Sequence, residues 1–382
     1  MANTDTQAPQ SVKFSNKSKD QLLFYRALNK RVNQYFKDNN IEKTANSSMY
    51  VKTIFMVLLY FIPYSLILMY GNQSPWLALG LCLIMGVGLA GIGLSVMHDA
   101  NHGAYSKNKK VNDAIGYILN VVGGAAINWK LQHNVLHHSY TNIEGHDEDI
   151  DAPALMRFSP HGKLKSIHKL QHIYAWFFYG LMTFFWVTFK DFFQLYGYHK
   201  RGLLKRYSSF AREMLILIVS KVLYYGYILV VPYILLDYSF ISLLLGFFVM
   251  HFIAGFILAV VFQPAHVMEH LDFPLPDDTG SLENNWAIHQ MHTTTNFAPN
   301  NRLLSWYVGG LNYQVEHHLF PHVCHVHYRD IAPIVESTAK EFNVPYYSID
   351  SFRTALSSHY TMLRKLGHGE QLNRQDFVSA KV

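Results

Sequence analysis

The chain has 382 residues, of which 15% are charged and 50% apolar, with 26 Phe and 25 Tyr. A soluble protein carries about 25% charged residues, so a water-facing surface is hard to build here; the aromatic content and only two cysteines also exclude disorder and a disulfide scaffold. The net charge of +6 comes without the basic run of a nucleic-acid arm, so no nucleic acid is expected, and anionic lipid at a cytoplasmic face is the better counterpart.

In chain order, residues 1–50 read as a cytoplasmic tail and interfacial helix; no short apolar core precedes a cleavage site, so no cleaved signal peptide is expected. Residues 51–97 read as a transmembrane hairpin of two spans, Thr53–Tyr70 and Trp76–Met97, turning outside at 71–75. The second span is charge-free, and its five glycines allow close helix approach in lipid. Residues 98–213 read as a cytoplasmic segment. Within it, Asp113–Trp129 and the aromatic stretch Ile173–Phe193 are expected to lie as helices in the head-group plane. Residues 214–262 form a second hairpin, Met214–Leu236 and Phe240–Phe262, turning at 237–239, and 263–382 return to the cytoplasm. Neither outer turn carries Lys or Arg, which sets both termini on the cytoplasmic side. Lys221, within the third span, is expected to snorkel to its basic end. Cys82 and Cys324 lie in unlike surroundings and are not expected to pair.

Twenty of the 22 histidines lie between His98 and His327. His98 and His102 are spaced i, i+4 at the end of the second span. His133, His137 and His138 give i, i+4 and i+5, and His317 and His318 are adjacent, with Gln314 one turn before His318; His266 follows the fourth span. One such pair alone is more often two unrelated histidines than a metal site. Three clusters at one membrane face change that balance. Neutral imidazole suits iron, copper, zinc or nickel, and no thiolate set competes. Eight imidazoles exceed what one metal accepts, so two metals are the economical reading. The fold expected is therefore an all-α integral membrane protein: four transmembrane helices in two hairpins with a cytoplasmic helical cap holding a histidine-ligated di-metal site.

With HX3H, HX3HH and QXXHH boxes in this order, the chain from about residue 50 to 340 resembles the membrane fatty acid desaturase family. The third box, Gln314-Val315-Glu316-His317-His318, is similar to that of front-end desaturases, which place a double bond between an existing one and the carboxyl end, commonly at Δ5, Δ6 or Δ8. The resemblance implies ligand roles for the histidines of the boxes and, through Phe262-Gln263-Pro264-Ala265-His266, for His266. It implies two iron ions, O2 as co-substrate, a fatty acyl chain carried on CoA or phospholipid within membrane lipid, and loss of two hydrogens as O2 becomes water. No haem motif of a fused cytochrome b5 is present, so a separate electron donor is expected, ferredoxin or cytochrome b5 with a reductase behind it. Asp99, Asn101, Asp147, Asp149 and Glu316 are in reach to hold the second nitrogen of an imidazole, and Gln314 to approach a metal directly or through water. The alternative for the acids is a solvated loop around Gly145–Asp151. His289, His292, His270, His322, His325 and His327 are expected outside the ligand set, and mid-span His251 to hydrogen-bond between helices. Competing functions are a di-iron lipid hydroxylase and a histidine-rich metal transporter or haem protein; clusters at span ends rather than mid-membrane disfavour transport, and bis-histidine haem would need far fewer imidazoles.

Overall fold

The computed structural model describes residues 12–150, 155–370 and 372; the first eleven residues, which include most of the signal-peptide expectation, and Asp151 of the acidic loop lie outside the described residues. Among the described residues, four helices are long and apolar enough to cross a membrane: Ser47–Gln73, Pro75–Asn101, Phe210–Leu235 and Phe240–His266. Each begins at a short polar residue whose side chain accepts a backbone N–H three positions on, namely Asn46, Ser74, Ser209 and Ser239. Three of the four run 27 residues, about 40 Å at 1.5 Å per residue, against a hydrocarbon core of about 30 Å. The apolar run marks only the part in contact with lipid, so each helix extends past its sequence-derived limit on the side bearing the histidines. The overhang of the second and fourth spans carries His98 and His266.

The two hairpins are tied at their turns. Asn72 Nδ2 donates to Asp237 Oδ2 (3.1 Å), Asp237 N donates back to Asn72 Oδ1 (2.9 Å), and the Tyr238 hydroxyl donates to the Gly71 carbonyl (2.7 Å). Along the spans, small residues set the spacing: a Cβ on Gly88 would stand 2.8 Å from the Tyr60 backbone nitrogen of the first span. The core between the spans is apolar, built on residues such as Met56, Tyr60, Met85, Tyr224, Phe247 and Met250.

Two expectations are corrected. Ile173–Phe193 does not lie flat in the head-group plane. The helix Gln171–Phe185 continues through a π-helical turn, Trp186–Lys190, into Asp191–Lys200. Its middle packs against the interior of two spans, with the Thr183 hydroxyl donating to the His251 carbonyl (2.7 Å) and the Val187 carbonyl accepting from Lys221 (2.7 Å). Its two ends bond to one side of the molecule, Gln171 to Arg157 and Leu363, and Tyr198 to Glu148 (2.6 Å). The segment is thus a re-entrant helical wedge, and the direction of the third and fourth spans is unchanged. The aromatic side chains that suggested an interface serve to pack it. Lys221 does not snorkel either. It is buried, with Nζ donating to the Gly123 carbonyl (2.5 Å), the Val187 carbonyl and Asp191 Oδ2 (2.6 Å). A carboxylate brought in by the wedge satisfies the ammonium where it stands.

The remaining helices gather on the side bearing His98 and His266. The N-terminal helix Lys19–Asp38 buries Phe24, Leu28, Val32 and Phe36, spaced four apart, against Met291, Val315, Leu319, Tyr328 and Val335. Two short parallel strand pairs, Lys13–Phe14 with Ser281–Leu282 and Asn296–Phe297 with Ser348–Ile349, fasten distant segments. Asp113–Trp129 is broken into short helices around Gly123–Gly124.

Candidate metal centre

Four chain segments converge. His98 and His102 close the second span after a π-helical turn, Ile92–Val96. His133 and His137 lie in the π-helical segment Lys130–His137 rather than in regular α-helix, and their rings stack at 5.2 Å. The wider winding brings residues four apart nearly into line and leaves His138 to stack on His318 at 4.3 Å. His266 ends the fourth span. The helix Gln314–Leu319 carries His317 and His318 and follows Gly309 and Gly310, both with positive φ. A Cβ on Gly309 would lie 2.7 Å from the Cα of Ser95, so glycine lets this loop press against the second span beside His98.

All eight sequence-predicted histidines meet. His98, His102, His133 and His317 present ring nitrogens within 4.8 Å of one another, as do His137, His266 and His318, and His138 with His317 and His318. The backs of five are held. His137 Nδ1 donates to Asp147 (3.0 Å), His133 Nδ1 lies 3.5 Å from Asp149, His317 Nδ1 3.1 Å from the Tyr328 hydroxyl, His318 Nδ1 2.8 Å from Gln290 Oε1, and His266 Nδ1 3.3 Å from the Thr293 carbonyl. The opposite nitrogens are orphaned: Nε2 of His102, His137, His266 and His318 and both nitrogens of His98 are buried with no hydrogen-bond partner among the described residues. Burying so many polar atoms unpaired is costly unless something binds them. An all-imidazole donor set fits a first-row transition metal.

The electrostatics agree with that chemistry. Burial, reinforced by neighbouring imidazoles, holds His102, His138, His317 and His318 far below the usual histidine range, and burial takes His133 down to about 3 against the pull of Asp149. Neutral imidazole is the ligating form. Burial also lowers His137, but Asp147 and Asp149 outweigh it and raise the net value.

Of the acids and amides in reach by sequence, the structure brings Asp147 and Asp149 to imidazoles of the eight. Asp99 faces Cys324 and His325, with Oδ1 3.8 Å from His98 Nδ1. Asn101 and Glu316 do not reach one. Asn101 Nδ2 points to Met97 Sδ (3.4 Å), and Glu316 turns away to accept from Asn296 (2.8 Å) and Tyr346 (2.9 Å), burial pushing its carboxyl up to about 7. On a short helix, the residue beside His317 necessarily points away from the cluster. Gln314 is buried with Oε1 unpaired among the described residues. His289 and His292 are engaged by the Thr141 carbonyl (2.8 Å) and Asp272 (2.9 Å), and His251 bonds Thr183 and Tyr224 between helices. Sequence reasoning missed Gln290, Tyr328 and Thr293. Gln290 sits beside the set-aside His289, and nothing in the spacing marks the other two.

The sequence profile of the fatty acid desaturase family matches residues 74–350. The chain is 37% identical over 345 residues to the sn-1 linoleoyl-lipid 6-desaturase of Arthrospira platensis, covering 90% of this chain and 92% of that one. It is 36% identical to the enzyme of the same name from Synechocystis sp., covering 90% and 95%, and 38% identical to an acyl-lipid (8-3)-desaturase of Physcomitrium patens, covering 90% and 72%. With four apolar spans and a buried histidine cluster able to hold metal, the chain belongs to the fatty acid desaturase family and is an integral-membrane oxidoreductase acting on fatty acyl chains.

Proposed function

We propose that this protein is an O2-dependent front-end acyl-lipid desaturase whose eight histidines hold two iron ions. His98, His102, His133 and His317 form one ligand group, and His137, His266 and His318 the other, with His138 standing beside His317 and His318. The observation that carries the reading is the set of buried ring nitrogens that face one another without partners while their opposite nitrogens are held. Bound iron would supply an oxidant derived from O2, which an unactivated methylene C–H bond requires because no side chain is a strong enough base. The chain's own share is positional. Asp147, Gln290 and Tyr328 fix the rings, Asp147 and Gln290 keeping the proton of His137 and His318 on Nδ1. Burial of the cluster keeps bulk water from the reacting centre.

The names of the relatives favour an acyl group carried on lipid and a double bond on the carboxyl side of existing ones. The absence of Lys and Arg from both outer turns favours a cytoplasmic centre and termini, where a separate ferredoxin or cytochrome b5 would deliver electrons. The apolar runs give 51–97 and 214–262 as the hairpins, and the Lys and Arg distribution favours 1–50, 98–213 and 263–382 on the cytoplasmic side. The test is expression in air, with linoleate supplied, of the wild type and of His137→Ala and His317→Ala. New polyunsaturated product from the wild type, lost in both variants together with bound iron, is expected. Turnover retained in either variant overturns the ligand assignment.

A further inference from the structure

Behind His98 lies a buried cluster that the imidazole centre does not use. Asp99, Cys324 and His325 bring a carboxylate, a thiol and an imidazole within 4.8 Å of one another, a donor set that could hold a third metal. Their hydrogen bonds point elsewhere. Asp99 Oδ2 accepts from the Cys324 thiol (2.9 Å), the His325 backbone N–H (3.1 Å) and His325 Nδ1 (2.8 Å). An ionised carboxylate only accepts, so the imidazole proton sits on Nδ1 and Nε2 is left as an acceptor. Nε2 faces Lys52 Nζ at 2.6 Å, a group that only donates when charged. Asp99 Oδ2, the Cys324 thiol and both His325 nitrogens are thus matched, and a further cation would meet the lysine.

Lys52 comes from the first span, Asp99 from the end of the second and His325 from the loop after the third box, and all three are buried. A lysine at 2% exposure inside a membrane protein is expensive to place and implies a use. His98 supplies that use. His133, His137, His317 and His318 each have a side-chain partner on Nδ1, whereas His98 has no hydrogen bond on either nitrogen among the described residues, and Asp99 Oδ1 stands 3.8 Å from its Nδ1.

We propose that Lys52, His325 and Asp99 form a brace that positions His98, with Lys52 and His325 acting as positioning residues through the Asp99 carboxylate. Lys52 fixes the tautomer of His325, His325 fixes the carboxylate, and the carboxylate stands beside His98 Nδ1. The proposal rests on the reading of the histidine centre as a metal site.

The test uses the full chain purified in detergent, with Lys52→Met, His325→Leu, His325→Gln and, as reference, His98→Ala. Bound iron per chain and the visible spectrum after loading with Co2+ are read beside kcat and KM. Lys52→Met and His325→Leu are expected to weaken metal binding roughly 10- to 100-fold at the position that includes His98, altering the Co2+ spectrum and lowering kcat with KM for the acyl substrate unchanged. His325→Gln restores both, because its amide donates to Asp99 and its oxygen accepts from Lys52. Wild-type iron and spectrum in Lys52→Met and His325→Leu overturn the brace. A third metal equivalent in the wild type that disappears in Cys324→Ser overturns it as well. Should His325→Leu not fold, Lys52→Met read against His325→Gln decides on the same readouts. A wild-type chain that takes up no metal overturns the centre itself, whereas metal lost in His98→Ala but kept in Lys52→Met overturns only the brace.

Discussion

Replacing Asp147 by Asn changes one atom type and tests how the rings are held. The carboxylate is fully buried and takes three N–H donors: His137 Nδ1 (3.0 Å), the Asn142 backbone (2.9 Å) and the Asp149 backbone (3.0 Å). An asparagine side chain has a single acceptor oxygen, and its amide must then face one of those donors. Two outcomes are open to the chain. A buried backbone N–H goes unpaired, at about 1–3 kcal/mol. Otherwise His137 moves its proton to Nε2, the nitrogen that faces His266 and His318, and can no longer ligate there. Loss of such an outer partner costs roughly 10- to 100-fold in metal affinity or activity, about 1.4–2.7 kcal/mol. The assay is bound iron per chain and product formed by purified Asp147→Asn, with near-ultraviolet circular dichroism to establish folding. A folded variant with wild-type iron and wild-type turnover would refute the reasoning.

Tyr328→Phe removes only the hydroxyl 3.1 Å from His317 Nδ1; turnover should fall roughly tenfold while the thermal midpoint of the metal-free chain stays within a few degrees, and an unchanged rate contradicts a role for that bond. Lys221→Met leaves the Asp191 carboxylate buried without its ammonium, which should destabilise by about 3–5 kcal/mol in thermal unfolding, whereas Lys221→Met with Asp191→Leu should recover much of the loss. Burial lowers both His289 and His359 from 6.5 to about 4 despite the backbone carbonyl each bonds. The unfolded chain therefore takes up these protons below pH 6.5 and the folded chain only near pH 4, so stability is present above 6.5 and lost as pH falls through that window. Each fully buried imidazole contributes on the order of 3 kcal/mol to that loss; His359→Gln should flatten the fall in melting temperature between those pH values, and an unaltered slope counts against its share.

Apolar runs and the placement of Lys and Arg were enough to read four spans, two hairpins and their return to one side. The histidine boxes are legible because side chains that meet from one helix face recur at helical spacing. Span ends were read too short, since composition marks contact with lipid and not the end of the helix. The re-entrant wedge was read as interfacial because an aromatic-rich helix packed between spans has the composition of one lying at the head groups. Lys221 was misread for a related reason: its partner Asp191 lies 30 residues away in that wedge. The residues that hold the rings divide in the same way. Asp147 lies ten residues from His137 within one loop, but Gln290 and Tyr328 reach His318 and His317 only through tertiary packing, which no periodicity records.

The most direct test is the position of the new double bond. The wild-type chain, expressed aerobically with a competent electron donor in a host that makes no polyunsaturated lipid, is supplied with linoleate, and its acyl chains are analysed by mass spectrometry. A front-end desaturase yields a third double bond on the carboxyl side of the two already present. A hydroxylated chain, a new bond on the methyl side, or no new unsaturation in protein that carries its iron would contradict it.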